Sequence, residues 1–398
     1  MRATRNDPIV ISAARRTPLG AFMGAFGTLP APELGAVALR AALGDAGLPV
    51  DGVSEVLMGC VLPAGQGQAP ARQAARRAGL PDATGATTVN KVCGSGMKAV
   101  MLGHDLIRAG SARIVLAGGM EAMSSAPFLL PQMRAGRKAG SAEVLDHMML
   151  DGLEDAYERG RPMGEFGEAT ARRYGFDRAA QDAFAMETLA RAQAAVSGGA
   201  FDAECAPVTV TTRKGEVTVA RDERPAQVDG AKIPGLRSAF GAGGTITAAS
   251  SSANADGAAA LLLAPLSVAE AEGLPVLARI VGHATHSQDP AWFTTAPIPA
   301  IGKLLEELGW QPGDVDLWEI NEAFAVVAMA AAQEIGIARD RLNVNGGACA
   351  LGHPIGATGA RILVTLIHAL KARGLSRGVA CLCIGGGEAT AVAVEMGA

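Results

Sequence analysis

Four side chains that could do covalent and acid–base chemistry lie in short distinctive runs of this 398-residue sequence. Cys93 occurs in Val-Cys-Gly-Ser-Gly, Cys383 in Cys-Ile-Gly-Gly-Gly, His353 in Gly-His-Pro-Ile-Gly, and Asn321 in Asn-Glu-Ala-Phe. A thiol can carry an acyl group, and a second thiol, with an ordinary pKa of about 8.5, can take and return a proton near neutral pH. Together with an imidazole and an amide, these thiols are suited to carbon–carbon bond chemistry on a thioester.

Cys93 lies between a predicted strand end at residues 87–90 and a predicted helix over residues 97–109. A thiol at a helix N-terminus faces free backbone N–H groups and the positive end of the helix dipole, so we expect its pKa to be lowered. The same N–H groups could hold an oxyanion. The alternative is a buried cysteine that acts as a small apolar side chain. The three accompanying motifs favour the catalytic interpretation.

His353 lies in the glycine-rich loop 345–359, which precedes a predicted helix over residues 360–372. The loop lacks the Lys-Ser/Thr of a P-loop and the spacing of a dinucleotide fingerprint, which argues against a nucleotide-phosphate site. His353 could activate Cys93 or donate to a developing oxyanion. Asn321 follows a predicted strand at residues 315–320. It could be a helix N-cap, or it could hold a water or a carbonyl oxygen, and the sequence leaves both roles open.

Two pairs of residues raise the question of a metal site. Cys381 and Cys383 would lie on the same face of a strand, but no second pair completes a zinc site. His283 and His286 have a spacing that suits a metal, yet no carboxylate or cysteine completes that set, and we interpret them as ordinary strand or loop residues. We therefore predict no metal and no cofactor. Six cysteines without regular spacing indicate reduced thiols.

Composition and charge exclude several classes of function. The net charge is −4 with no long block of one sign, which argues against a duplex nucleic-acid partner. The first eight residues contain no apolar stretch typical of a signal sequence, and the longest apolar run, from Ala258 to Leu263 and onward, is too short to span a bilayer. We expect a soluble, cytoplasmic protein with no membrane partner.

The chain contains an internal repeat. Residues 47–59 resemble residues 309–321, and residues 114–122 resemble residues 381–389, with an offset of about 265 residues that indicates domain duplication. Each half alternates predicted strands and helices, which is typical of an α/β protein with a mostly parallel sheet. Apolar residues make up 49% and aromatic residues only 4%, so the core must consist mainly of small and aliphatic side chains.

Residues 124–249 differ from both halves. They include a Met-rich, basic segment, a predicted helix from Asp177 to Ala195 with Asp177 as its N-cap, and a charged, turn-rich segment. This segment is predicted to be a long insertion that could cover a ligand. Residues 250–275 return to the pattern of the first half.

The chain resembles the thiolase family over essentially its whole length. The motifs that carry this resemblance, in chain order, are Arg16-Thr-Pro, Cys93-Gly-Ser-Gly-Met-Lys, Gly118-Gly-Met-Glu-Ala-Met-Ser, Asp256-Gly-Ala-Ala-Ala, Asn321-Glu-Ala-Phe, Asn343-Val-Asn-Gly-Gly and Cys383-Ile-Gly-Gly-Gly. It implies a duplicated α/β fold in αβαβα layers, with two mixed, mostly parallel five-stranded sheets and an inserted loop domain. The implied divisions are an N-terminal half (1–123 plus 250–275), a loop domain over coenzyme A (124–249) and a C-terminal half (276–398).

The resemblance also implies a reaction: reversible acyl transfer between 3-ketoacyl-CoA or acyl-CoA and acetyl-CoA, by thiolysis or Claisen condensation with ping-pong kinetics. Cys93 would be the acylated nucleophile and Cys383 the second acid/base. His353 would support Cys93 and an oxyanion site that Asn321 completes through water. The backbone N–H groups of Cys93 and Gly385 would form a second oxyanion site. Coenzyme A would be a substrate or product rather than a cofactor, and the family implies a role in fatty acid metabolism and a homodimer or homotetramer.

The resemblance assigns further residues to coenzyme A and acyl binding. They are predicted ligand contacts or pocket walls: Ser252, Met163, Leu153, Phe293, Phe324 and Ala248. Four places depart from common family patterns. Residues 250–252 read Ser-Ser-Ser where Asn-Ala-Ser is familiar, and Glu388-Ala-Thr follows the glycines of the Cys383 motif where Met-Gly is more familiar. Pro162 replaces a His found in many acetoacetyl-specific members, and Phe293 stands where a Met often lines the acyl pocket.

Three other functions are compatible with parts of this set. A decarboxylating condensing enzyme of the ketoacyl-synthase kind uses a Cys nucleophile but needs no second thiol, so Cys383 argues against it. A Cys-His-Asn hydrolase is disfavoured by the same thiol and by the duplication. A catalytically silent acyl-CoA binder is disfavoured because all four chemical residues are present.

Overall fold

The computed structural model describes residues 7–397. Residues 1–6 and 398 lie outside the described part. They belong to the first and last predicted divisions, and residues 1–6 are most of the segment in which no signal sequence is expected. The strands are β1 Ile9–Arg16, β2 Gly20–Ala21, β3 Glu55–Gly59, β4 Gly85–Val89, β5 Val115–Ala122, β6 Phe128–Leu129, β7 Leu145–Asp146, β8 Val208–Thr212, β9 Gly215–Val219, β10 Ala255–Pro265, β11 Ala278–Ser287, β12 Leu317–Ile320, β13 Arg377–Ile384 and β14 Glu388–Met396. The helices are α1 Ala31–Ala46, α2 Pro70–Arg77, α3 Ser95–Arg108, α4 Gly164–Tyr174, α5 Arg178–Ser197, α6 Arg224–Gln227, α7 Leu266–Glu272, α8 Pro297–Leu308, α9 Ala325–Ile335, α10 Ala348–Leu351 and α11 Thr358–Arg373.

The large sheet repeats one strand pattern twice. Its order is β12-β13-β14-β11-β1-β10-β5-β3-β4, and β2 pairs with β10. In the first half β4, β3 and β5 are parallel, and β10 runs antiparallel between β5 and β1. In the second half β12 and β13 are parallel, and β14 runs antiparallel between β13 and β11. The duplicated, mixed and mostly parallel α/β architecture is therefore confirmed.

The strand count differs from the expected pair of separate five-stranded sheets. The halves join into one ten-stranded sheet through a short antiparallel pairing of Val10 and Ile11 with Arg279 and Ala278. Where β4 lies in the first half, the second half has only a bridge between Trp318 and Leu342. The joining occurs because β1 and β11 would otherwise each leave an edge with unpaired backbone groups.

The second repeat alignment from the sequence is wrong by a few residues. Met58 of β3 pairs with Gly118, whereas Ile320 of β12 pairs with Cys381. Gly118 therefore corresponds to Cys381 and not to Gly385. The glycine-rich runs look alike but serve different purposes: Gly118 lies inside a strand, against the backbone of the neighbouring β10, whereas Gly385 lies in the turn after β13.

Alternation along β10 explains the layers. Its even-numbered residues from 258 to 264 pack against the outer helices α1 and α2, and its odd-numbered residues from 259 to 263 pack against the central helices α3 and α11. In the second half, alternate residues of β13 and β14 pack against the same central pair or against α8 and α9. Helices thus lie outside and between the two sheet halves, and the small Ala side chains permit this close packing.

The inserted segment from residue 123 to residue 254 contains the hairpin β8–β9 and the helices α4 to α6. Asp177 caps α5, accepting a hydrogen bond from the Ala180 N–H at 2.8 Å, so the predicted cap is confirmed. The fully buried Arg16 at the end of β1 pairs with Glu204 and Asp222 and ties the insertion to the first half. The exact domain boundaries stay a prediction. Across residues 7–397, no helix combines the length and apolarity that crossing a bilayer would require.

Candidate active site

Cys93 lies in a tight turn between the edge strand β4 and helix α3. The Ser95 hydroxyl accepts a hydrogen bond from the Lys91 N–H at 2.8 Å and donates to the Val92 carbonyl at 2.7 Å. Val92 has a φ of 45°, a conformation that costs energy for a β-branched residue. The turn therefore holds the partly buried Cys93 directly before the first turn of α3, as the sequence predicted.

The electrostatics at Cys93 differ from the expectation. Burial raises the pKa of the Cys93 thiol to about 11, although the backbone N–H groups of Gly385 and of Cys93 itself act in the opposite direction. The predicted net lowering is therefore wrong, because desolvation of the thiolate outweighs the N–H groups. At neutral pH the resting side chain is a thiol, and its attack on a carbonyl needs a base.

Cys383 lies near the end of β13 and is fully buried. Burial and, after it, the charge of Cys93 raise the pKa of Cys383 well above its ordinary value. An interaction of this kind requires the two thiols to be near each other. The next residue, Ile384, packs so closely over Gly94 that a Cβ at position 94 would force the Ile384 side chain to shift. The fold thus brings together the two cysteines that are far apart in the sequence.

His353 is buried in the loop before α11, and its ring is oriented by Thr358. The Thr358 hydroxyl donates to the Pro354 carbonyl at 2.9 Å, so it accepts from His353 Nδ1 at 2.6 Å. This assignment leaves Nε2 with a free lone pair, and Nε2 is buried with no hydrogen-bond partner in the described chain. Burial, together with the charge of Arg361, lowers the pKa of His353 to about 3, so the imidazole is neutral at physiological pH.

Asn321 is 1% exposed, and its backbone N–H donates to the Cys381 carbonyl at 3.0 Å. Within residues 7–397, neither polar atom of its side chain has a hydrogen-bond partner. The N-cap of α9 is Phe324, so the capping interpretation of Asn321 is wrong. A buried amide without partners costs free energy unless a ligand or a water satisfies it.

The apolar residues predicted as pocket walls fall into two neighbouring groups. Met163, Phe293 and Phe324 pack in the cluster that contains Cys383. Leu153 packs in the cluster that contains Cys93. The groups meet where the Met163 methyl lies near Gly385, and the Met163 N–H donates to the Leu153 carbonyl at 3.2 Å.

The two remaining predicted ligand contacts are placed differently. The Ser252 N–H donates to the Ala323 carbonyl at 2.9 Å, next to Phe324. Ala248 is exposed and belongs to neither apolar group.

Sequence reasoning missed the residues that hold these loops in place. The buried Glu121 carboxylate accepts hydrogen bonds from the N–H groups of Val61 and Gly356 at 2.9 Å and of Leu62 at 3.2 Å, which fixes the His353 loop to the first half. Thr358 orients His353 in the same loop. Both residues stand inside motifs noted in the sequence. The partners of Glu121 are far away in the chain, whereas Thr358 acts on His353 five residues before it in the same loop.

Family comparison decides the class of protein. The model of the thiolase N-terminal domain matches residues 9–267, and that of the thiolase C-terminal domain matches residues 274–396. The chain belongs to the thiolase family. The predictions of a thiolase and of an acyltransferase enzyme are confirmed.

Individual relatives agree with the family. The chain is 49% identical over 393 residues to an acetyl-CoA acetyltransferase from Cupriavidus necator, with 98% of this chain and 99% of the relative covered. It is 45% identical to one from Schizosaccharomyces pombe, with 98% and 99% covered. The crystal structure of Bacillus anthracis acetyl-CoA acetyltransferase superposes with a TM-score of 0.95 at 40% identity and 98% and 99% coverage. Acat5 thiolase from Ascaris suum, solved in complex with coenzyme A, gives 0.92 at 40% identity and 98% and 100% coverage.

Proposed function

We propose that this thiolase transfers acyl groups between coenzyme A thioesters through an acyl-enzyme on Cys93. One observation carries the proposal: Cys93 and Cys383 interact electrostatically, and the Gly385 N–H faces the Cys93 sulfur. A nucleophilic thiol and a second, proton-carrying thiol beside the same acyl group are the requirement for making or breaking a carbon–carbon bond next to a thioester.

His353 is the base that activates Cys93 in this proposal. With its pKa lowered to about 3, the imidazole is neutral, and Nδ1–H is held by Thr358, so Nε2 can accept the thiol proton. Because the Cys93 pKa is about 11, the thiolate forms during attack and does not exist beforehand in the resting enzyme. Cys93, rather than the more deeply buried Cys383, is the nucleophile because it lies at the start of α3 beside two backbone N–H groups.

In the thiolytic direction, the Cys93 sulfur bonds to the 3-keto carbon and its proton passes to His353. The bond between the α and β carbons then breaks, and the departing acetyl-CoA enolate takes a proton from Cys383, which becomes a thiolate. In the second half, the Cys383 thiolate takes the thiol proton of a second coenzyme A, whose sulfur attacks the acyl carbonyl. The Cys93 sulfur leaves as acyl-CoA forms and takes back its proton from His353. The N–H groups of Cys93 and Gly385 would stabilise the oxyanion at one carbonyl, and His353 with a water on Asn321 would stabilise the enolate.

The substrate class comes from the relatives and from the apolar groups beside the thiols. The named relatives are acetyl-CoA acetyltransferases, which supports acetyl-CoA and short 3-ketoacyl-CoA as substrates. Phe293 and Phe324 would limit the acyl space beside Cys383. A role in fatty acid metabolism, a cytoplasmic location and a homodimer or homotetramer belong to the same proposal. Light scattering of the purified protein would measure the oligomeric state, and thiolysis rates across chain lengths would measure the preference.

Acylation of two variants tests the division of roles. Cys93→Ser should lose covalent labelling by radiolabelled acetyl-CoA. Cys383→Ala should still acylate Cys93 stoichiometrically, while thiolysis of acetoacetyl-CoA falls by about 1,000-fold or more. Mass spectrometry of the labelled peptide identifies the residue. Equal loss of labelling in both variants would contradict the proposal, and so would a label on Cys383.

A further inference from the structure

A cluster of three side chains lies away from the active-site cysteines. His104 and Asp105 belong to the C-terminal half of α3, and His283 belongs to β11. His283 Nε2 lies 3.3 Å from His104 Nδ1 and 3.0 Å from Asp105 Oδ1, and His104 Nδ1 lies 3.1 Å from the same carboxylate oxygen. We propose that this triad binds one divalent transition-metal ion of the zinc type.

The distances between the ligand atoms support the proposal. Zinc bonds to imidazole nitrogen and carboxylate oxygen are about 2.0–2.2 Å long, so the ligand atoms of a tetrahedral site lie about 3.3 Å apart. The triangle in this protein has sides of 3.0, 3.1 and 3.3 Å. The two imidazole rings meet edge to face, at 89° with centroids 5.0 Å apart, and His104 Nδ1 and His283 Nε2 are the nitrogens that face each other at 3.3 Å.

The surroundings leave a fourth position for water. The side chains of His104 and His283 are 13% and 18% exposed, and that of Asp105 is 50% exposed. The rings are therefore held by the protein while the carboxylate side is open to solvent. Three protein ligands and one open position are typical of zinc sites that keep a bound water. Two imidazoles favour zinc, cobalt or nickel over magnesium or calcium.

The charges near the cluster act in both directions. Burial, His283 and Arg108 lower the pKa of His104, and Asp105 raises it. A lowered pKa leaves the imidazole neutral at physiological pH. A neutral imidazole can bind a metal ion once its single N–H proton is on the nitrogen that does not face the metal. The positive charge of Arg108 opposes a cation, whereas the Asp105 carboxylate favours one.

The site would connect the two halves of the molecule. Helix α3 begins beside Cys93 in the first half, and β11 belongs to the second half. A metal bound by ligands from both elements exists only in the folded protein, so its binding free energy adds to folding stability. From the sequence, His283 is interpreted as an ordinary residue because no carboxylate near it in the chain completes a metal site. In the fold, Asp105 supplies that carboxylate, and His283 becomes a proposed metal ligand.

The alternative to a metal site is a cluster in which the three side chains only form hydrogen bonds with one another. Titration of the metal-free, full-length protein with Zn²⁺ in a calorimeter distinguishes the two. The variants are His104→Ala, His283→Ala and the conservative Asp105→Asn. His286→Ala is the matched control, because His286 lies on the same strand but bonds Gln288 Oε1 through Nε2 at 3.0 Å. Absorption spectra with Co²⁺ identify the ligands, since thiolate ligands give an intense charge-transfer band and nitrogen or oxygen ligands do not.

The expected result is one saturable equivalent, no thiolate band, and affinity weakened by roughly 100-fold in His104→Ala and His283→Ala but unchanged in His286→Ala. Asp105→Asn, whose exposed side chain should not affect folding, should weaken binding less. A thiolate band would place the metal on the cysteines, and equal affinity in His283→Ala would place it away from this triad; either result would overturn the proposal. Absence of binding by the unmodified protein would leave a hydrogen-bonded cluster only. Because the readout is metal affinity, it does not depend on the proposed acyl transfer.

Discussion

The two halves share one strand pattern but differ in a single connection. The strands β5 and β10 are joined by residues 123–254, whereas the corresponding strands β13 and β14 are joined by Gly385–Gly387 alone. The long connection forms the insertion that packs around the site. The short one fixes Cys383 and the Gly385 N–H beside Cys93. Equivalent connections in the two halves therefore differ in length by more than a hundred residues, and the short one lies beside both cysteines.

The central helices show the same division. Helix α3 begins after the thiol of Cys93, and α11 begins after the loop that carries His353. Glu121 of the first half holds the second loop through the Gly356 N–H. Each half therefore places one of these side chains before its central helix, and neither half holds both the proposed nucleophile and the proposed base. The following predictions test this division, from the largest expected effect to the smallest.

Removal of the His353 imidazole from the second half should have the largest effect on activity. We expect His353→Ala to lower kcat/KM for thiolysis by about 100- to 10,000-fold, because the Cys93 thiol would lose its proton acceptor. Steady-state kinetics with acetoacetyl-CoA measure the loss. His286→Ala is the control and should stay within about twofold of the unmodified enzyme. A comparable loss in the control, or none in His353→Ala, would remove the imidazole from the mechanism.

The short connection Gly385–Gly387 should tolerate a side chain at Gly385 but not at Gly387. Gly387 has a φ of 89°, and a Cβ there would collide with the Gln288 carbonyl. We expect Gly387→Ala to lower the free energy of unfolding by about 2–3 kcal/mol. A Cβ at Gly385 would meet Met163 and Val92 at ordinary distances of 3.6 and 3.7 Å. Gly385→Ala should therefore cost less than about 1 kcal/mol. Denaturant unfolding measures both, and equal losses would show that the turn is not the constraint.

Loss of the hydroxyl that orients His353 should have a smaller effect than loss of the imidazole. We expect Thr358→Val to reduce kcat by roughly 10- to 100-fold, because Nδ1 would no longer be held and the ring could expose the wrong nitrogen. Thr358→Ser keeps the hydroxyl and should recover most of the activity. A Ser variant as impaired as the Val variant would indicate that the methyl packing matters, and not the hydrogen bond.

The pH dependence of Cys93 alkylation tests whether Cys93 of the first half and His353 of the second half form an ion pair in the resting enzyme. The Cys93 pKa is raised to about 11 and the His353 pKa is lowered to about 3, so between these values both groups are neutral. Inactivation of the free enzyme by iodoacetamide should therefore rise about tenfold per pH unit from neutral pH to about pH 10. His353→Ala should show the same slope. A plateau near neutral pH would instead demonstrate a preformed thiolate–imidazolium pair.

Much of the architecture was readable in the sequence because it is local. The helix that follows Cys93 and the cap at Asp177 follow from periodicity and capping, whereas composition alone left the apolar run from 256 to 263 open between a helix and a strand. The motifs around Cys93 and Cys383 indicated the family. The repeat was detected, but its second alignment slipped by a few residues, because similar glycine runs serve a close strand contact in one half and a turn in the other.

The site's energetics could not be read in the same way. The sequence placed Cys93 before a helix, but the direction of its pKa shift depends on how much protein surrounds the thiol. The choice between the two roles of Asn321 depended on where α9 begins, because the N-cap of that helix is Phe324. The partner of His283 stands on another element, far away along the chain.

The amino-acid sequence alone established which side chains are available for chemistry and that one pattern occurs twice. It also established where helices begin, since backbone propensity and side-chain period act over a few neighbouring positions. The apposition of Cys93 with Cys383 and the meeting of His104 with His283 arose from long-range packing. Burial and Coulomb interactions depend on distances in space, and those distances exist only once the sheet halves have closed around the central helices.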